Sequence, residues 1–293
     1  MTVRRLEKPP STLPIYARAA LRSVPVIGSL PLVGGGGDDV PDLEFQLDGV
    51  AADPGEVAEY CRVCGFTVRN ELPPTYPHIL AFPLHMALLT DSSFPFGAVG
   101  LVHIGNRITQ HRPIEVGEPL ALSVRATKLA PHPKGTQFSL LTEVRVAGDV
   151  VWESTSTNLR RGDGDESSAR DDTGLPDPTE LPATAEWRLP GDLGRRYAAV
   201  SGDRNPIHMY GLTAKAFGFP RQIAHGMWTK ARCLAALEGR LPGTFTVEVR
   251  FLKPILLPAK VTFADAKEGE RIEFGVRDAK KAIPHLAGLA GPA

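Results

Sequence analysis

The 293-residue sequence predicts an α+β protein made of two modules, each an antiparallel strand meander wrapped on one long helix. Three observations carry that reading. In each half an apolar stretch of helical length is followed by β-rich, alternating runs. Short motifs recur in the two halves in the same order. An acidic stretch with scattered proline and glycine separates them.

Taken in order, residues 1–38 read as an N-terminal leader with a short amphipathic helix near Tyr16–Arg22 and a hinge at Gly34–Gly37. Arg4 and Arg5 ahead of a partly apolar stretch imitate an export signal, but Pro14, Arg18, Arg22 and Pro25 interrupt it. The glycine run lacks a following Lys-Ser/Thr, so it is not a phosphate loop. Residues 39–160 form the first module, with helices at about 55–63 and 79–90 and strands at Gly100–Thr109, Pro119–Leu129, Gln137–Val146 and Val150–Asn158. Residues 161–186 hold eight acidic and two basic side chains and little apolar surface, the composition of an exposed linker. Residues 187–293 form the second module, with helices at about 191–200 and 226–238 and strands at Thr244–Leu252, Lys260–Ala266, Glu270–Arg277 and Ala282–Leu289.

The repeat rests on three markers. Met86 and Met227 differ by 141 positions, and so do Pro113 and Pro254. Upstream, Tyr60 to Phe66 aligns with Tyr197 to Asp203 at an offset of 137. In the 141 register Leu84 faces His225 and His85 faces Gly226.

Composition narrows the function. Lys+Arg and Asp+Glu both total 33, so the net charge is zero, which argues against a protein built to coat nucleic acid. No apolar run reaches the roughly 18 residues of a membrane span. Three cysteines cannot form a disulfide framework and point to a reducing compartment, the cytoplasm. Cys61-x-x-Cys64 has no second pair to complete a zinc site. No Gly-x-Ser-x-Gly elbow, His-Glu-x-x-His or dinucleotide glycine motif is present.

The densest constellation is Tyr197-Ala-Ala-Val-Ser-Gly-Asp203-Arg-Asn205-Pro206-Ile-His208. Gly202 ends a helix, and Asp203, Asn205 and Pro206 describe a tight loop, because Asn and Asp bond their own backbone and Pro fixes φ. A loop that reverses between Asp203 and His208 brings a carboxylate and an imidazole together, able to hold a water and trade a proton near neutral pH. An Asx turn beside a surface histidine has the same spelling.

This string resembles the signature of the MaoC-like dehydratase and (R)-specific enoyl-CoA hydratase family: aromatic, small apolar residues, then Ser-Gly-Asp-x-Asn-Pro-aliphatic-His. A second family element follows at Phe217 to Met227, through His225-Gly226. The resemblance is strong over 190–260 and weaker through the first half, as in fused members similar to the actinobacterial 3-hydroxyacyl-thioester dehydratases. It implies a double hot-dog fold and a hydro-lyase that adds water to trans-2-enoyl thioesters, giving (R)-3-hydroxyacyl thioesters in fatty-acid metabolism. It also implies Asp203 and His208 as the catalytic pair, Gly226 as the amide donor to the thioester oxygen and Asn205 as a loop-ordering or substrate-binding residue. No cofactor or metal is expected. The expected partner is an acyl-CoA or an acyl carrier protein thioester, with no nucleic acid and no membrane span, in a monomer holding an internal pseudo-dimer or in a homodimer. Gly226 also suits the role physically, since the apolar run after it makes its N–H one of the unpaired amides at a helix start.

Tyr210 stands where family members often carry Asp, Asn or Ser. In the first half Phe66 stands where Asp203 does and no Asn-Pro-x-x-His follows, so that module keeps the fold without the chemistry. Arg204, Lys215, Arg221, Lys230 and Arg232 gather in sequence around the motif, a basic rim or contacts for substrate phosphates. A hot-dog acyl thioesterase and a non-catalytic acyl-binding subunit are the alternative functions.

Overall fold

The structure is a computed structural model that describes residues 1–11, 39–98, 100–165, 167–168 and 174–293. The expected helix near Tyr16–Arg22 and the hinge at Gly34–Gly37 lie outside the described residues. Two compact units are formed. Unit 1 takes Met1–Ala51, His78–Ile104 and Glu118–Asp171; unit 2 takes Ala52–Pro77, Gly105–Gly117 and Asp172–Ala293.

Unit 1 is a strand meander on helix α2 (Tyr76–Leu89), most of which it holds. Its strand order is β1 (Thr2–Leu6), β2 (Leu43–Val50), β4 (Leu120–Ala126), β6 (Gly135–Val146), β7 (Asp149–Arg161) and then β3 (Leu101–Gln110), whose first four residues it holds. The short β5 (Ala130–His132) pairs with β6. Only the β1–β2 pair is parallel among the registered strands of this unit; β2–β4, β4–β6 and β6–β7 are antiparallel. Alternation explains the sheet: Leu43, Phe45 and Leu47 on β2, Leu120, Leu122 and Val124 on β4, and Phe138, Leu140 and Val144 on β6 are all buried on one face. Helix α2 crosses that face, and its His85 Nε2 lies 2.8 Å from Thr142 Oγ1 on β6.

Unit 2 repeats the plan. The remainder of β3 pairs with β9 (Phe245–Phe251), which is followed by β12 (Pro284–Gly291), β11 (Arg271–Asp278), β10 (Ala259–Glu268) and β8 (Ala183–Leu189), all antiparallel. The order β8-β10-β11-β12-β9 matches β2-β4-β6-β7-β3 strand for strand. Its central helix is α6 (Gly226–Ala236). Beside it lie α1 (Pro54–Cys64) and α3 (Leu193–Ser201), with two short helices, α4 (Pro206–Met209) and α5 (Gly211–Ala216), between α3 and α6. The units do not follow the halves of the chain, because α1, from the first half, packs in unit 2: Trp228 Nε1–H donates to the Val63 carbonyl at 3.1 Å, and the Thr67 N–H donates to Glu238 at 2.9 Å.

Four strands depart from the sequence expectation. β1 occupies Thr2–Leu6 inside the expected leader, β2 precedes the first helix, β5 is a three-residue strand, and β8, Ala183–Leu189, begins with the last four residues of the expected linker. β8 was masked by its acidic setting: Trp187 and Leu189 are buried, while Glu186 turns outward to pair with Lys260.

The repeat register is also corrected. The αL glycines that end α1 and α3, Gly65 and Gly202, keep the 137 offset. The isolated bridges Glu71↔Glu115 and Ile223↔Leu256 keep 141 at their second residues. Between these markers, however, α2 begins at Tyr76 and α6 at Gly226, 150 positions apart. Met86 lies near the end of α2 and Met227 at the start of α6, so the methionine match is not structural. Nor do Leu84 and His85 face His225 and Gly226; Thr75, the residue before α2, stands where His225 stands before α6. The physical reason is an insertion. Eleven residues join α1 to α2, whereas twenty-four join α3 to α6, and the longer connection carries the Asp203–His208 motif.

Candidate active site

Helix α3 ends at Gly202, which is left-handed (φ 73°) and returns its N–H to Ala198 at 3.1 Å. The chain then folds on itself as its residue types dictate. The Asp203 N–H donates to Ser201 Oγ at 3.2 Å, the Asn205 N–H donates to Asp203 Oδ1 at 3.1 Å, and the Ile207 N–H donates to Asn205 Oδ1 at 3.4 Å. Asn205 is therefore the N-cap of α4, with Pro206 in the first helical position. One turn on, His208 is buried, and its Nδ1 lies 2.9 Å from the Ile223 carbonyl. A carbonyl only accepts, so Nδ1 carries the hydrogen and Nε2 keeps its lone pair. Burial holds the His208 imidazole below its ordinary pKa, while the Asp203 charge pulls the other way.

The loop thus brings Asp203 and His208 together, and a third group joins them. Ligand atoms of Asp203, His208 and His225 all lie within 4.8 Å of one another. His225 is the N-cap residue of α6, and its ring stacks on that of His208 with centroids 3.7 Å apart and planes at 25°. Its Nε2 lies 3.0 Å from the Asp203 carbonyl and 3.8 Å from Asp203 Oδ2. Burial, followed by the neighbouring His208, pushes its pKa down to about 3. The Asp203 side chain is 29% exposed, so the cluster is buried on the histidine side and open on the carboxylate side.

Two histidines and a carboxylate are also a metal-ligand set. A metal must lie in the plane of each imidazole that binds it. These two rings are stacked face to face, and one nitrogen of each is held at a backbone carbonyl. The arrangement suits proton transfer better than ligation.

Gly226 opens α6 directly after His225, so its N–H belongs to the first turn, whose amides have no partner within the helix. A Cβ here would stand 3.0 Å from the Phe251 ring, so only glycine fits without displacing it. A residue that sequence reasoning missed is Gly194 in α3: a Cβ on it would overlap the carbonyl oxygen of His208. This close approach seats α4 against α3, and no local pattern marks it. Reasoning also passed over His225, although it stands in the quoted Phe217–Met227 element.

The basic rim divides. Arg204, Lys215 and Arg221 are exposed. Lys230 is not a rim residue: it is fully buried, and its Nζ donates to Asn106 O, Asn106 Oδ1 and Val247 O at 3.1, 2.6 and 3.2 Å. Arg232 lies over the Trp187 ring, 4.7 Å from its centroid. Tyr210 is 55% exposed and has the Arg195 guanidinium over its ring at 5.1 Å.

The family model described as MaoC like domain matches residues 179–287, which hold the whole cluster. The 3-hydroxyacyl-thioester dehydratase X of Mycobacterium tuberculosis is 39% identical over 277 residues, covering 94% of this chain and 96% of the relative. The chain belongs to the MaoC-like dehydratase family. A crystal structure of the M. tuberculosis protein HtdX superposes with a TM-score of 0.76 at 38% identity, over 85% of this chain and 100% of that one. A MaoC-like dehydratase from Phytophthora capsici has the same fold at 20% identity, with a TM-score of 0.69 over 85% of this chain and 95% of that one. The fold is accordingly the α+β double hot-dog.

Proposed function

We propose that this dehydratase adds water reversibly to trans-2-enoyl thioesters, giving (R)-3-hydroxyacyl thioesters. The observation that carries the reading is the meeting of Asp203 and a neutral His208 with an available Nε2 lone pair beside His225, the residue directly before α6. The carboxylate and the imidazole hold the water. Its hydroxyl goes to C3, and its proton, relayed through the pair, goes to C2. Between these events negative charge gathers on the thioester oxygen. Gly226 N–H, at the positive end of α6, is the donor for that oxygen, a role that in measured enzymes is worth about 3–4 kcal/mol of barrier. Asn205 acts by capping α4 and so aiming His208, a supporting role.

The HtdX likeness favours an acyl thioester carried by coenzyme A or by an acyl carrier protein. Exposed Arg204, Lys215 and Arg221 suit the phosphates of either carrier. All three cysteines are free and buried, which supports a reducing cytoplasm. No helix among the described residues is long and apolar enough to cross a membrane.

The test uses purified protein and trans-2-enoyl-CoA of increasing chain length, following enoyl absorbance and free thiol together. Loss of enoyl without thiol is expected. Thiol release instead marks a thioesterase and overturns the reading. Asp203→Asn should lower kcat by about two orders of magnitude or more with the fold intact, the range of a lost acid–base group; full activity in that variant refutes the site.

A further inference from the structure

We propose that His225 is a positioning residue for this reaction: its imidazole is an uncharged shelf that fixes the plane of His208, and its Nε2–H ties down the main chain of Asp203. The inference rests on the hydratase reading and extends it to a residue that holds no substrate.

The geometry supplies two separable functions. The first is the stack. The His208 ring lies on His225 at 3.7 Å, and Tyr197 lies 4.8 Å from His225. Tyr60 follows at 6.2 Å from Tyr197, and Tyr76 at 5.2 Å from Tyr60. Five buried rings thus run from the start of α2 to the catalytic imidazole. A ring braced in this way cannot turn its Nε2 away from the water. The second function is the hydrogen bond. The Asp203 carbonyl only accepts, so His225 Nε2 carries the hydrogen and donates at 3.0 Å. That bond joins the start of α6 to the loop that holds the carboxylate.

Packing alone does not call for an imidazole here. Among the described residues the buried His225 Nδ1 finds no hydrogen-bond partner, a loss of stability that a phenylalanine of similar area would avoid. The donor on the other nitrogen is what the apolar ring lacks. The groups facing His225 are the Asp203 carboxylate, the His208 ring and the Tyr197 ring. An uncharged His225 does not repel His208 when that ring takes a proton, and its π-face attracts the imidazolium. His225 itself neither gives nor takes a proton in the cycle.

Two variants of the full chain divide the functions. His225→Gln keeps an N–H donor and loses the flat face; His225→Phe keeps the face and loses the donor. With trans-2-butenoyl-CoA, each is expected to lower kcat by about tenfold or more with KM within about threefold. The acid limb of the kcat/KM profile, which reports His208, should move to lower pH in His225→Gln and stay in place in His225→Phe. Unchanged kcat in both, KM rising in step with the loss, or an unmoved limb in His225→Gln overturns the proposal. So does failure of both variants to fold, which makes the role structural. An inactive wild type removes the hydratase reading and this one together, whereas an active wild type with unaffected variants removes only this one.

Discussion

At the scale of single residues, the site depends on two glycines whose missing side chains matter more than most side chains present. Gly226 leaves room for the Phe251 ring at the start of α6, and Gly194 leaves room for the His208 carbonyl. Alanine in a helix interior is normally favoured over glycine by roughly 1 kcal/mol. Gly194→Ala should nevertheless destabilise the protein by about 1–3 kcal/mol, the usual cost of overpacking, because the overlap is with backbone that cannot rotate away. Pushing α4 outward also moves His208, so kcat should fall by more than the fraction unfolded. Urea denaturation and active-fraction-corrected kinetics on one preparation check both parts; a neutral or stabilising outcome contradicts the packing. Asp203 and His208 were legible in the sequence because their spacing is local, five residues on one loop. His225 and Gly194 were not, because the stack and the close approach join segments 17 and 14 residues away from His208.

At the scale of elements, α6 is held to its sheet by a buried cation. Lys230, one turn after Gly226, satisfies its ammonium with Asn106 and Val247 on β3 and β9. Burial holds its pKa well below that of an ordinary lysine. Lys230→Met preserves most of the volume but removes three buried hydrogen bonds from a charged donor, each worth about 1.5–3 kcal/mol, offset by what the relieved burial of the charge returns. The expected net loss is about 3 kcal/mol, read as a lower urea midpoint at unchanged m. A variant as stable as the wild type shows that the acceptors find other partners. Sequence reasoning placed this lysine on the rim because exposed lysines are the rule. Helix α6 is amphipathic only weakly, so periodicity could not single Lys230 out. β8 escaped notice for a related reason: its alternation is short and sits among acidic residues that read as linker. The helices α1, α2, α3 and α6 were legible, each with boundaries within three residues of those expected, because capping residues and long apolar runs mark them.

At the scale of the molecule, the fold buries neutral histidines in both units. His85 and His225 are each held near a pKa of about 3 by burial, with neighbouring His103 and His208 as the second causes. His208 and His285 are lowered in the same direction, again by burial first. In the unfolded chain all four take up protons near the ordinary pKa of about 6.5, while the folded chain resists. The sign follows: the stability they contribute is present above about pH 6.5 and is lost as pH falls toward the folded values. His85 and His225 together should cost about 2.7 kcal/mol per pH unit between about pH 6 and pH 4, from about 1.36 kcal/mol per proton. Urea midpoints at three pH values in that window test this. A flat profile means that the buried rings become protonated in place.

By itself the sequence determined the family signature, the repeat of a helix followed by a strand meander, and the loop that brings Asp203 and His208 together. Each of these is written in neighbouring residues or in short periodic patterns. Tertiary structure alone decided which residues stand beside that pair, which lysine is buried, where the repeat slips out of register, and that α1 packs in the unit built mainly from the second half. Those outcomes depend on close approach between distant segments: a carbonyl fitting where a glycine has no Cβ, rings stacking across a loop, an ammonium finding three acceptors on two strands. Such fits are properties of distances in space, and no spacing along the chain encodes them.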